Sequence, residues 1–247
     1  MMAKAARKRL DVLLVERGLA ETRQKAQAMI LAGEVQVAGA RAEKAGMSVA
    51  EDAAIEVHSR LQKYASRGGF KLEGALEEFR VTAAGRVCAD VGASTGGFTD
   101  CLLQNGAARV YAVDVNTDQL AWKLREDARV VCVQKNAREL GARDLPEMVG
   151  LLVMDVSFIS VTKVLPAAVG CVEAGGELLV LIKPQFELER EEIGKGGIVR
   201  ETALHEKAIE KVRECAAGMG LDVRGVKASK LPGAEGNIEY FLCARKA

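Results

Sequence analysis

The chain has little of what usually marks a membrane-spanning, secreted or metal-bound protein. Nowhere in its 247 residues does an apolar run approach the roughly 18 to 20 uninterrupted residues that a spanning helix requires. The opening Met1-Met2-Ala3-Lys4-Ala5-Ala6-Arg7-Lys8-Arg9 lacks the apolar centre of a signal peptide, so no membrane association and a cytoplasmic location are expected. Six cysteines (Cys88, Cys101, Cys132, Cys171, Cys215, Cys243) stand singly without a C-x-x-C pair, and His58 and His205 are the only histidines. Neither a disulfide framework nor a metal site is expected; the thiols should be reduced and mostly buried. Aromatic side chains make up 4% of the chain, which leaves no evident stacking platform for single-stranded bases. The one tryptophan, Trp122, on a helix after Asp114, is expected to serve in packing. Internal repeats and low-complexity tracts are absent as well.

What is present is a composition of 49% hydrophobic and 28% charged residues, ordinary for a globular chain able to bury a large core and a small one. The net charge of +1 conceals an asymmetry, because residues 1 to 71 hold 13 Lys and Arg against 8 Asp and Glu. A basic front suits contact with a polyanion, since Lys and Arg near phosphates gain affinity by releasing counterions.

Leu10, Leu13 and Leu14 have helical spacing, and Gly18 ends that helix. Thr22 is a plausible N-cap for a second helix carrying Ala26, Met29 and Ile30 on one side and closed by Gly33. Val35-Gln36-Val37 and Ile55-Glu56-Val57 alternate as short strands do. From Val87 the texture changes to apolar runs at 87–91, 110–113, 130–133, 151–154 and 178–182, separated by stretches of helical spacing at about 97–105, 118–125, 160–169 and 202–219. That order predicts a doubly wound α/β sheet of the Rossmann-like class. Two last strands, near 223–229 and 239–244, flank turn residues at Pro232-Gly233.

The segment Asp90-Val91-Gly92-Ala93-Ser94-Thr95-Gly96-Gly97-Phe98-Thr99 lies where the first of these strands gives way to a helix, the place at which such sheets bind ligands. Its G-x-x-x-G-G spacing is neither the dinucleotide fingerprint nor a P-loop, which disfavours a pyrophosphate clamp. Asp114 ends the next strand, where a carboxylate can accept from both hydroxyls of an adenosine ribose. A ligand containing adenosine without pyrophosphate fits both features.

Four blocks, Tyr64 to Leu72, Asp90 to Thr99, Asp155-Val156-Ser157-Phe158-Ile159-Ser160 and Leu181-Ile182-Lys183-Pro184-Gln185-Phe186-Glu187, closely resemble the hemolysin A/TlyA family over nearly the whole chain. The resemblance implies a small α+β S4-like RNA-binding domain (residues 1–60), a linker (61–70) and an FtsJ-like methyltransferase domain (71–247). It implies a seven-stranded sheet with the last strand antiparallel, S-adenosylmethionine as cofactor, and 2′-O-methylation of ribosomal RNA, with cytidine as the nucleoside and ribosomal subunits as partners. A monomer is favoured. By the same resemblance Asp90, Gly92, Ser94, Thr95, Gly96, Gly97, Phe98, Asp114, Val115, Asn136 and Asp155 belong to the cofactor site. An Asn turn at Asn136 is an equally plain reading.

Methyl transfer from a sulfonium requires an in-line approach and help in making an alcohol nucleophilic. Lys183 and Asp155 each follow an apolar strand at the edge where a doubly wound sheet presents its site. Lys183 is expected to activate the 2′-hydroxyl and Asp155 to orient it. Only the resemblance to a Lys-Asp-Lys-Glu tetrad adds Lys71, to offset negative charge on oxygen, and Glu239, to pair with a lysine. Outside the resemblance, each of these is as readily a solvated surface group. Arg7, Lys8, Arg9, Arg23 and Lys25 near two helix starts, and Arg67 in a flexible Arg-Gly-Gly, are expected to contact RNA. The loop Gly194-Lys195-Gly196-Gly197 is expected to close over an RNA strand or to be a plain connection. Base methylation is disfavoured, because Asp155-Val156-Ser157-Phe158 lacks the two prolines of an amine-gripping motif. A non-catalytic RNA-binding or ribosome-assembly factor, or a membrane-active hemolysin, are the alternatives in other classes.

Overall fold

A computed structural model describes residues 7–20, 22–31, 33–57, 63–233 and 236–247. His58, the expected boundary between residues 60 and 61, and the leading Met1 to Ala6 lie outside the described residues. The chain divides into two compact units, residues 1–62 and 63–247.

In the first unit, β1 (Arg7–Arg9) leads into α1 (Leu10–Glu16) and α2 (Arg23–Leu31). These are followed by β2 (Val35–Val37), β3 (Ala40–Arg41), β4 (Ser48–Ala50) and β5 (Ile55–Val57). Leu10, Leu13, Leu14, Ala26 and Ile30 bury the facing sides of the two helices against Val35 and Val37. Thr22 Oγ1 accepts from Lys25 N at 3.2 Å, a side-chain cap at the start of α2. β1 pairs with β4, a ladder without apolar alternation to announce it.

The second unit opens with α3 (Gly68–Phe79) and then alternates: β6 (Val87–Val91), α4 (Gly97–Gln104), β7 (Arg109–Asp114), α5 (Trp122–Arg125), β8 (Val130–Gln134) and β9 (Val149–Met154). It continues through α6 (Leu165–Ala168), β10 (Val172–Ile182), α7 (Pro184–Glu187), α8 (Thr202–Gly218), β11 (Leu221–Ala228) and β12 (Tyr240–Lys246). The strands form one seven-stranded sheet in the order β11-β12-β10-β9-β6-β7-β8, in which only β12 runs against its neighbours. Strand order reverses between β6 and β9, so the loops leaving β6, β7, β9 and β10 converge at one carboxyl edge. Alternation within the buried strands feeds two cores. Val91, Met154, Val180 and Ile182 face α8, whereas Cys88, Val153, Leu179 and Leu181 face α3 and α4.

Three expectations change. The stretch 160–169 is not one helix: a 3-10 turn at Val161–Lys163 precedes α6, which has Pro166 at its start. Residues 63–70 are packed rather than linking. Tyr64 is fully buried edge-on to Phe70, and Ala65 N donates to Asp100 Oδ2 at 2.7 Å. Arg67-Gly68-Gly69 is accordingly not a flexible loop, because both glycines lie in the first turn of α3, where a side chain at 69 would overlap the Tyr64 ring. Trp122, in turn, is 68% exposed, with the Arg125 guanidinium over its ring. Among the described residues no helix is long and apolar enough to cross a membrane.

Replacing Gly69 with Ala is expected to cost about 1–3 kcal/mol through overpacking. The measurement is the midpoint of denaturant unfolding, and an unmoved midpoint would show that the Tyr64 ring yields freely.

Candidate active site

The turn after β6 begins with Gly92 at φ 88°, where an added Cβ would overlap the carbonyl oxygen of Asp155. Only glycine allows the loop from β6 to lie this close to the end of β9. Gly92 N and Ala93 N donate to Val113 O at 2.9 and 3.1 Å, which fixes the turn to β7. The Asp114 carboxylate accepts from Ser94 N at 2.9 Å and from Asn116 N at 3.0 Å, one bond to each oxygen. Each oxygen therefore keeps a further lone pair for a ligand hydroxyl.

Asp114, Val115, Asn136, Asp155 and Ser94 line a cavity of about 530 Å³ beside that turn. Asn136, besides lining this cavity, caps a 3-10 turn by accepting from Arg138 N. Thr95, Gly97, Phe98, Arg67 and Lys71 line an adjoining cavity of about 180 Å³ with Gly92 and Asp155. Arg67, expected on the RNA side, thus borders the glycine turn. Gly96, at the N-cap of α4, packs against Leu124 and lines neither cavity.

Asp90 is fully buried beneath the turn. Its Oδ2 accepts from Thr99 Oγ1 at 2.7 Å, and its Oδ1 has no partner. Burial above all, reinforced by the charges of Asp155 and Asp114, pushes this carboxyl up to about 7 against the hydrogen bond from Thr99. Asp90 has no exposed surface and lines neither cavity, so it supports the turn from beneath.

The four tetrad residues form two ion pairs. Lys183 Nζ meets Asp155 Oδ1 at 2.6 Å, and Lys71 Nζ donates to Glu239 Oε2, with Glu239 3% exposed. Register explains how positions so far apart in sequence meet. Ile182 lies opposite Tyr240 in the β10–β12 ladder, so the residues just beyond, Lys183 and Glu239, face each other at its end. Both line a third cavity of about 270 Å³ with Ser157, Phe158, Phe186 and Gly197.

Several residues here escaped sequence reasoning. Ser157 Oγ accepts from Lys183 Nζ at 2.7 Å, giving the lysine a second fixed partner. Phe158 is 91% exposed at φ 63°, 5.2 Å from the Phe186 ring, and borders two of the cavities. An exposed aromatic is therefore present where none was expected. Glu187, buried, accepts from Ser160 Oγ and from Val161 N at 2.7 Å, which ties down the far end of the Asp155 loop. Asn237 pins the 194–199 segment, donating to Gly197 O at 2.8 Å and accepting from Val199 N at 2.9 Å. The segment expected to close over RNA is thus held at two points. Lone polar residues in loops carry no periodicity, so only their neighbours in space could have revealed them.

In the first unit, Lys8 lies between Glu16 and Glu51 at 2.8 Å each. Arg7 donates to Ser48, and Arg9 and Arg23 share Asp11. The first two N–H groups of α1 are already taken, by Met47 O and Ala45 O, so they are not open to phosphate as expected.

Residues 64–246 match the FtsJ-like methyltransferase family and residues 8–55 match the S4 domain. The chain is 46% identical, over 98% of its length and 91% of the other's, to the 16S/23S rRNA (cytidine-2′-O)-methyltransferase TlyA of Mycobacterium tuberculosis. It is 43% identical to Hemolysin A of Brachyspira hyodysenteriae, over 94% of this chain and 98% of that one. Among solved structures, a putative hemolysin from Streptococcus thermophilus superimposes with a TM-score of 0.77 at 42% identity, covering 99% of this chain and 90% of that chain.

Asp90 generates a test by pH. The folded chain holds the Asp90 proton up to about pH 7, whereas an unfolded Asp releases its proton near pH 4. Between those limits the native state binds more protons, so this group makes stability fall as pH rises and adds no further slope above about 7. Asp90→Asn removes that slope, and its stability relative to the parent is expected to improve across the window in urea titrations. Parallel curves at both ends would overturn the assignment.

Proposed function

The chain belongs to the FtsJ-like methyltransferase family, with an S4 domain ahead of its methyltransferase domain, and from that membership we propose that it methylates the 2′-hydroxyl of a cytidine in ribosomal RNA using S-adenosylmethionine. The observation that carries this reading is the ladder end at which Lys183, ion-paired with Asp155, faces Glu239, hydrogen-bonded to Lys71.

S-adenosylmethionine, when bound, supplies an electrophilic methyl group on a sulfonium. The chain's part begins with Asp114, whose remaining lone pairs suit the hydroxyls of an adenosine ribose, and Asp90, which braces the glycine turn from beneath through Thr99. Val115 and Asn136 border the same cavity on the side proposed for the adenine. Lys183 activates the substrate hydroxyl, with Asp155 and Ser157 fixing the direction of its amine. Lys71 offsets negative charge developing on that oxygen, and Glu239 holds Lys71 in place. Phe158 offers an exposed ring on which an unstacked base can lie. On the RNA side, Arg9, Arg23 and Lys25 contact phosphates, whereas Lys8, already between two carboxylates, and Arg7, donating to Ser48, add less, and Arg67 meets RNA only where it borders the glycine turn.

Replacing Lys183 with Ala or Met is expected to reduce methyl incorporation into ribosomal RNA by about a hundredfold or more while cofactor still binds. Radiolabelled transfer and calorimetric titration with S-adenosylmethionine read the two effects. Undiminished turnover would remove Lys183 from the reaction. The product linkage of the parent enzyme is expected to resist alkali and ribonuclease, and a label recovered on a base would exclude ribose methylation.

A further inference from the structure

We propose that Asp11 is a positioning residue that sets Arg9 and Arg23 side by side as a two-guanidinium clamp for one RNA phosphodiester. The inference rests on the RNA-modifying reading above and adds a residue to it that carries the wrong charge to touch RNA.

Asp11 lies in the first turn of α1 with its side chain fully buried. Arg9 presents Nε to Oδ1 and Nη2 to Oδ2, each at 3.0 Å, a side-on bidentate pair. Arg23, at the start of α2, donates Nε to the same Oδ2 at 2.9 Å, and Gln27, one turn on, donates Nε2 to it at 2.9 Å. The bonds from Arg9 first of all, with those from Gln27 and Arg23, hold the carboxyl well below the usual carboxylate range.

Two nitrogens bonded to one oxygen at these distances lie within about 6 Å of each other. The two guanidiniums would otherwise repel and disperse. Their inner N–H groups are committed to Asp11, while both side chains stay about half exposed, at 51% and 55%. A guanidinium has five N–H donors in a rigid fork, so among the described residues Arg9 keeps an outer pair on Nη1 and Arg23 keeps both of its Nη groups. Those donors, two positive charges and one buried negative charge leave a net positive patch whose directions are set before any ligand arrives.

Neighbouring cations are arranged differently. Lys8 is neutralised by Glu16 and Glu51, and Arg7 is spent on Ser48. The clamp also adjoins a groove. A Cβ at Gly46 would lie 3.2 Å from Arg9 Nη1, and Gly46 with Arg41, Glu43, Lys44 and Met47 lines a cavity of about 570 Å³. A phosphodiester held by Arg9 and Arg23 would place the adjoining nucleotide toward Arg41 and Lys44, which outnumber the one carboxylate, Glu43.

The test is a double-mutant cycle in the full chain, with fluorescently labelled transcripts of ribosomal RNA as probe. Asp11→Asn is expected to weaken RNA binding by about tenfold or more, the loss of a charge-assisted contact. The salt slope should fall by about one, as when one phosphate contact is lost. The same substitution is expected to have almost no effect once Arg9 and Arg23 are both Ala, and to leave S-adenosylmethionine affinity unchanged. Unchanged or tighter RNA binding in Asp11→Asn overturns the proposal, tighter binding being what loss of a negative charge alone would give. Effects that simply add across the cycle overturn it too, and mark Asp11 as a stitch between two helices. Should circular dichroism show Asp11→Asn unfolded, Arg9→Ala and Arg23→Ala decide. A shared phosphate makes the double variant little worse than either single one, and fully additive losses overturn the clamp. If the parent chain neither binds nor methylates ribosomal RNA, the functional reading itself falls; if it does both while Asp11→Asn matches it, only the clamp falls.

Discussion

The methyltransferase unit depends on one enclosed ion pair, Lys71 with Glu239. Taking an ammonium and a carboxylate out of water costs several kcal/mol per ion, so each is tolerable only against the other. Lys71 belongs to α3, at the beginning of the unit, and Glu239 immediately precedes β12, near its end. The pair therefore fastens the first element to the last strand. Because Tyr240 lies opposite Ile182, the same fastening determines where Lys183 emerges, and Lys183 in turn meets Asp155 at the end of β9. Three strands and a helix are brought to one edge by contacts between four charged side chains.

Legibility in the sequence followed burial. The five apolar runs were readable as strands because both faces of this sheet are covered, which removes the need for polar alternation. Gly92, Asp114, Asp155 and Lys183 were readable because each ends such a run. Lys71 and Glu239 were not, since strand register is a long-range property and nothing within either neighbourhood specifies the opposing residue. They entered only through resemblance. The start of α3 was obscured by Gly68-Gly69, which reads as a turn until the Tyr64 ring is seen to occupy the space a side chain would need. β1 was hidden by its composition, three basic residues whose pairing with β4 owes nothing to apolar alternation. Ser157 and Asn237 are single polar residues in irregular segments and Glu187 ends the short helix α7, and their roles exist only in three dimensions.

The two units handle charge in opposite ways. In the second, charges are enclosed, matched one to one and directed at a cavity, an arrangement suited to chemistry on a small reacting group. In the first, a buried carboxylate is outnumbered by cations that remain half exposed, an arrangement suited to an extended polyanion whose ions are shed on contact. Summing to a net charge near neutrality erases this division, which is why whole-chain charge says so little about the molecule.

The ladder between β10 and β12 also limits which changes of length the chain can accept. Ser229 N donates to Glu239 O at 2.8 Å, so the connection from β11 is clamped at both ends, and an extra residue in β11 is already absorbed at the irregularity between Val223 and Gly225. Loss of the residue just ahead of Tyr240 would bring Ile238, or Tyr240 itself, to the place of Glu239, and one residue gained there would either part Glu239 from the ladder end or slide β12 by one and turn its side chains to the wrong face. Insertions survive in most surface connections because their ends need only meet. Here the ends must also count, so this hairpin is a ruler whose divisions are single residues.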